Sequence, residues 1–218
     1  MRVWWIPCFA LTLSSPLAIA QTSVPPNQVT ALKDTSSLKP PAGAKVAIIE
    51  YEDLECPFCA HAFPFVHAAA KHYQIPIVEC DFQINYHHWS HDAAICAHYL
   101  KAKVSPAVAE EYRREVFASQ NRIASRDDVR TFTQHFLAQH GLQMPFVMDP
   151  TGQFSREIDA TTAQGNRIGL KETPSIFVVT NNHWIQVKDP DQLDEAIDEA
   201  EAEVAHRSAA RKSSHPGA

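Results

Sequence analysis

Apolar residues in this chain follow two patterns: short continuous runs of strand length, and longer stretches with apolar positions three and four apart. The first segment of the folded part, Val46-Ala47-Ile48-Ile49-Glu50-Tyr51, suits a buried strand. A loop of Glu52, Asp53, Leu54 and Glu55 leads into a helix expected to run to about Tyr73, with Pro64 inside it as a kink. Ile75 to Ile84 reads as a second strand, with Pro76 at its start, where a missing N–H matters least. Asp92–Lys101, Pro106–Ser119 and Asp127–Gln139 have helical spacing; the third opens on two acids and has Gly141 just beyond its end. A turn at Asp149-Pro150-Thr151-Gly152 precedes a helix from about Phe154 to Ile168. Ser175–Val179 and Trp184–Val187 flank a tight turn and read as a β-hairpin. The closing helix starts near Asp191 and puts Leu193, Ile197, Ala200 and Val204 on one face. Strand, helix, strand, helical block, helix, hairpin, helix predicts an α/β fold, a mixed sheet with a helical insertion at about residues 88–145.

The ends read differently. Met1-Arg2, an apolar stretch from Val3 and the triplet Ala18-Ile19-Ala20 form the pattern of a signal peptide covering residues 1–20. An uncleaved membrane anchor is the rival reading, which Pro7, Ser14, Ser15 and Pro16 weaken. Residues 21–43 are rich in Pro and Ser and read as a spacer, residues 44–204 as the folded domain, and residues 205–218 as a flexible tail.

A formal net charge of −6 over 218 residues, without a basic cluster, argues against a nucleic-acid partner. Of five cysteines, Cys8 would leave with the signal; Cys56, Cys59, Cys80 and Cys96 remain. An even number suits an oxidising, extracytoplasmic compartment. Four are too few to staple a chain this long, so one pair should have another task.

Cys56-Pro57-Phe58-Cys59 is the candidate. It follows a buried strand and opens a helix, where unpaired N–H groups and the helix dipole stabilise a thiolate at Cys56. Cys59, one turn on, is placed to resolve a mixed disulfide. Pro57 fits the first helical turn, which needs no N–H. The alternatives are a structural disulfide or half of a zinc site, but no second Cys-x-x-Cys or spaced His pair completes such a site. His87-His88-Trp89-Ser90-His91 invites a metal reading, yet falls in a strand-to-helix loop, where solvation or capping is the simpler role. His61 either supports the thiolate or is an exposed helix residue.

With these residues in view, the chain resembles the DsbA-like branch of the thioredoxin superfamily over about residues 44 to 200. Four features carry the likeness: the Cys56–Cys59 motif after a strand, Glu50 six residues before the nucleophile, Pro64 in the active-site helix, and Thr173-Pro174 ahead of an apolar strand. The resemblance implies a thioredoxin-like fold with a helical insertion, and thiol–disulfide oxidoreduction with no cofactor beyond the dithiol and no bound metal.

It also assigns roles. Pro174 would be a cis-proline and would present the Thr173 backbone to substrate; a trans proline opening an edge strand is the other reading. Pro57 and Phe58 would contact substrate. Glu50, in an apolar strand, would have a raised pKa and exchange protons with Cys59, unless its carboxylate swings to the surface. Cys80 and Cys96 would form a second disulfide pinning the insertion to the sheet, or be two buried free thiols. The expected partners are cysteine-containing exported proteins and a membrane redox protein that recycles the dithiol; the expected state is a monomer. Phe58 departs from the His found at its position in the best-known DsbA proteins, which leaves open a weaker oxidase, a reductase or an isomerase. A metal-binding module on the same fold is the reading from another class.

Overall fold

The computed structural model describes residues 32–213, so the expected signal peptide lies outside the described residues. Strand β1 (Val46–Glu52) is buried along its whole length, as a central strand with both faces covered requires. It pairs in parallel with β2 (Ile77–Asp81) and antiparallel with β3 (Ser175–Thr180), which pairs antiparallel with β4 (Trp184–Val187). The sheet order is β2-β1-β3-β4.

The period of two along β1 builds two cores. Val46 and Ile48 face helix α1 (Pro57–Tyr73) and helix α6 (Leu193–Ser213), meeting Ala62, Val66, Ala69, Ile197 and Ala200. Ala47, Ile49 and Tyr51 face the other way, onto Cys80, Phe82, Phe177, Val179 and the end of helix α5 (Gln153–Ile168). A third core fills the inserted block of α2 (Ser90–Lys103), α3 (Pro106–Ser119) and α4 (Arg126–Gln139), around Leu100, Tyr112, Val116 and Phe136. Cys56, Cys59 and Phe63 of the redox segment belong to this third core. The cysteine pair therefore sits at the seam between sheet and insertion.

Local chemistry sets the helix starts. Ser105 caps α3 by accepting from the Val108 N–H at 3.2 Å, with Pro106 in the first turn. Ser125 caps α4 by accepting from Asp128 N–H at 3.2 Å, and Asp128 accepts in return from Ala124 N–H at 3.1 Å. Pro64 lies inside α1 without ending it.

Three boundaries differ from the sequence reading. Leu38, assigned to a spacer, is 2% exposed in the second core, and Lys33 N–H donates to Ile168 C=O at 2.7 Å. An isolated leucine among prolines carries no period, so burial there was invisible in the pattern. The closing helix runs through Ser213, into the segment read as a tail. Strand β2 is shorter than the run from Ile75 to Ile84, because Asp81 ends its pairing with Glu52.

Helix α5 approaches the sheet closely at Gly165, where an added Cβ would fall 2.5 Å from the Phe82 ring. Alanine ordinarily favours a helix interior by about 1 kcal/mol over glycine, but here the clash with a buried ring decides the sign. Gly165→Ala is expected to lower stability by about 1–3 kcal/mol in urea unfolding; a stabilised variant would contradict this packing.

Candidate active site

Cys56 is the N-cap of α1, in extended conformation (φ −78°, ψ 120°), with Pro57 next in line. Its N–H donates to Asp53 C=O at 2.9 Å, and its Sγ lies 3.3 Å from the Thr173 carbonyl oxygen. The Thr173-Pro174 bond is cis, and the segment before β3 sets the Thr173 carbonyl beside the nucleophile. Cys56 is 5% exposed and Cys59 fully buried, an arrangement in which an incoming sulfur meets Cys56 first. Pro57 is exposed, and Phe58 projects from the surface at 71% exposure.

The two thiols are driven apart in acidity. The Cys59 thiol, donating to Cys56, brings Cys56 down to about 6; Thr173 and the N–H groups of Phe58 and Cys59 add to this against the cost of burial. Burial pushes Cys59 well up, and its bond to Cys56 and the charges of Cys56 and Glu52 push the same way. One sulfur is thus ready to ionise while its neighbour keeps its proton. His61 stays exposed, its ring tilted against Phe65 with centres 5.3 Å apart.

Beneath the pair lies a buried cluster of charge. Glu50 is fully buried, and neither carboxyl oxygen has a hydrogen-bond partner among the described residues. Burial, then the carboxylates of Glu52 and Glu79, raise its pKa far above the usual range, with Arg113 opposing. Glu50 is therefore buried, with its carboxyl pushed toward the neutral form, rather than swung to the surface. Its ladder partner is Glu79, and that of Glu52 is Asp81. Arg113 of α3 reaches down between them, with Nη1 2.5 Å from Glu52, Nη2 3.2 Å from Asp81 and Nε 3.8 Å from Glu79. His98 bridges onward, 2.7 Å from Asp81 and 3.0 Å from Glu157. Against the cost of burial, Arg113 and His98 hold Asp81 down to about 2.

The loop before Cys56 is fixed from two sides. Asp53 accepts from the N–H groups of Glu55 and Ile84, both at 2.9 Å, and from Ser90 Oγ at 3.2 Å. Glu55 caps the start of α2, accepting from Trp89 N–H at 2.7 Å and Ser90 N–H at 3.2 Å. From the insertion, Gln120 Nε2 donates to the carbonyls of Leu54 and Cys56, both at 2.9 Å. Sequence reading missed Glu52, Asp53, Glu55, Arg113 and Gln120. The one available signal was the density of acids in and after an apolar strand.

Other candidates fall away from the site. Cys80 and Cys96 are free thiols in different cores, Cys80 on the face of the sheet turned away from α1 and Cys96 inside the helical block. Of the two readings open in the sequence, a second disulfide or two buried thiols, the structure has the buried thiols. Burial raises Cys80 to about 12 and Cys96 to about 11, as inert thiols require. The three histidines do not converge. His87 turns to Asp53 at 2.9 Å, while His88 lines a groove of about 1050 Å³ on the helical block with Cys96, Met144 and Met148. Among the described residues no three His, Cys, Asp or Glu side chains are grouped to hold a metal ion.

The chain belongs to the thioredoxin family, whose profile matches residues 41–199. Among solved structures it is similar to α-DsbA1 of Wolbachia pipientis (17% identity, TM-score 0.61, covering 79% of this chain and 100% of that one). It is also similar to the thiol-disulfide exchange protein α-DsbA2 of Wolbachia pipientis (13%, TM-score 0.59, 74% and 84%). A third is a periplasmic thioredoxin-like protein of Salmonella enterica serovar Typhimurium (16%, TM-score 0.58, 83% and 99%). No curated protein sequence matches significantly. The fold is thus the thioredoxin-like fold of DsbA-type proteins.

Thiolate absorbance at 240 nm in the reduced protein should show an ionisation centred near pH 6, absent in Cys56→Ser. Because the folded value lies below the ordinary 9.0, the folded dithiol gains stability relative to the disulfide form as pH rises from about 6 to 9. It loses that gain as pH falls through about 6. Urea unfolding of both redox forms checks the sign; an ionisation at the ordinary thiol value would contradict it.

Proposed function

We propose that the protein is an exported thiol–disulfide oxidoreductase of DsbA type, oxidising cysteine pairs in other exported polypeptides. The observation that carries this reading is the Cys56 thiol, held to about 6 at the start of α1 and facing the Thr173 carbonyl at 3.3 Å. In the forward reaction a substrate thiolate attacks Cys56 Sγ and the Cys56–Cys59 bond breaks. Cys59 leaves with the electron pair and takes up a proton, which its raised pKa favours. A second substrate thiolate then attacks the substrate sulfur of the mixed disulfide, and Cys56 leaves as a thiolate. Two electrons have passed to the dithiol, and a membrane redox protein would remove them. Stabilising the departing thiolate makes the disulfide the better oxidant.

Several features suit a polypeptide substrate. Thr173, beside the cis bond, supplies backbone for an extended chain, and exposed Phe58 and Pro57 offer an apolar rim. Tyr86, 74% exposed, stands on the loop tied to Asp53 through Ile84. Export rests on the Met1-Arg2 start, the apolar stretch and Ala18-Ile19-Ala20, and fits the periplasmic thioredoxin-like neighbour. A monomer suffices, since one chain carries both cysteines.

Reductase or isomerase action is the second reading, favoured by one observation. The Phe58 side chain brings neither charge nor hydrogen bond to the thiolate, and a value of about 6 lies between roughly 7 for thioredoxin and roughly 3.5 for DsbA. The proposed oxidase is accordingly a moderate one.

Oxidative refolding of a reduced, disulfide-containing protein separates the readings. The oxidised wild type should accelerate disulfide formation at least ~10-fold, Cys56→Ser should be inactive, and Cys59→Ser should accumulate a mixed disulfide through Cys56. Insulin reduction without oxidising activity would assign the protein to the reductases. Inertness in both assays would remove the exchange chemistry altogether.

A further inference from the structure

We infer that Gln120, at the end of the inserted helix α3, is a positioning residue for the nucleophile, and that through it the insertion takes part in thiol exchange. The inference rests on the exchange chemistry proposed for Cys56 and goes beyond it, because Gln120 touches neither sulfur. Its amide nitrogen carries two hydrogens and meets two carbonyls, Leu54 O and Cys56 O, each at 2.9 Å. Both targets are acceptors, so only the NH₂ end of the amide fits, and both of its donors are used.

The arm is anchored at its base. Gln120 closes α3 by donating its backbone N–H to Phe117 C=O. Phe117 is buried against Phe63 of α1, ring centres 5.3 Å apart. The end of α3 is thus packed on the redox helix itself, and the Gln120 side chain spans a short, fixed gap. At the far end, the two carbonyls belong to the residues whose backbone sets where Cys56 Sγ points. Leu54 is 1% exposed, so its carbonyl cannot simply turn to water without moving the loop. The Cys56 carbonyl also accepts from Ala60 N–H at 3.2 Å, the first bond of α1. Gln120 therefore holds the N-cap peptide in the orientation that aims the sulfur at the helix N–H groups and Thr173. It also neutralises the negative end of a carbonyl dipole next to the developing thiolate.

Removing the arm should free the loop and weaken those contacts. Thiolate titration at 240 nm and equilibration with glutathione test this in the full chain with Gln120→Ala, Gln120→Glu and Arg122→Ala. Arg122, which donates to Ser119 Oγ at 2.7 Å, is the neighbouring control with no contact to the loop carbonyls. For Gln120→Ala we expect the Cys56 midpoint to rise by about one pH unit, a roughly tenfold loss of thiolate below the midpoint. The glutathione equilibrium should move toward the protein disulfide, giving a weaker oxidant. Gln120→Glu, which faces two carbonyls with acceptors, should raise the midpoint further, and Arg122→Ala should leave it in place. A Gln120→Ala protein with a lower melting temperature but an unmoved midpoint would overturn the inference, leaving Gln120 a structural contact only. If wild-type Cys56 itself titrates like an ordinary thiol, the exchange reading falls first and takes this one with it. The two failures are distinguished in the same titration.

Discussion

An ionised sulfur in a nearly buried position is the constraint on which this structure turns. A thiolate is stable only where donors replace the water it loses. Cys56 finds them at a helix start: the Cys59 thiol, the N–H groups of Phe58 and Cys59, and the Thr173 side chain. Each needs a different part of the fold. The helix must begin at residue 57, which Pro57 favours; β3 must start beside it, which places Thr173-Pro174; and the loop from Glu52 to Cys56 must not drift. Asp53 and Glu55 fix that loop to the start of α2, and Gln120 fixes it to the end of α3. The insertion holds the loop at both of these ends.

The same constraint shapes the charge beneath. Glu50, Glu52, Glu79 and Asp81 project from neighbouring positions of two paired strands, and Arg113 reaches three of them. Arg113 and His98 together face four carboxylates, and burial pushes Glu50 and Glu52 toward their neutral forms. Glu50 lacks any hydrogen-bond partner among the described residues, and burial pushes its pKa well up. Of these acids it is Glu52, two residues beyond Glu50, whose charge raises Cys59.

The parts of the site legible in the sequence are those encoded locally. A Cys-x-x-Cys after an apolar run, a proline in the first turn and Thr-Pro before a strand carry their geometry in adjacent residues. Long-range placement does not show in this way. Arg113 and Arg114 are adjacent arginines on one helix, yet the first is buried among acids and the second is exposed; only the packing of α3 on the sheet tells them apart. Gln120 likewise looks like any polar residue at a helix end. Cys80 and Cys96 suggested a pairing because sequence spacing does not reveal which face of a strand or helix a thiol occupies. Leu38 was lost in a proline-rich stretch because one apolar residue has no period.

The central claim is that Cys56 and Cys59 form one reversible two-electron couple, with the remaining thiols outside it. Equilibration across glutathione redox buffers, acid quenching, alkylation and mass analysis of the peptides test it directly. The account predicts that Cys56 and Cys59 change state together in a single two-electron transition, while Cys80 and Cys96 remain thiols throughout. A transition in which Cys80 or Cys96 joins the exchange, or the absence of any Cys56–Cys59 disulfide, would contradict it.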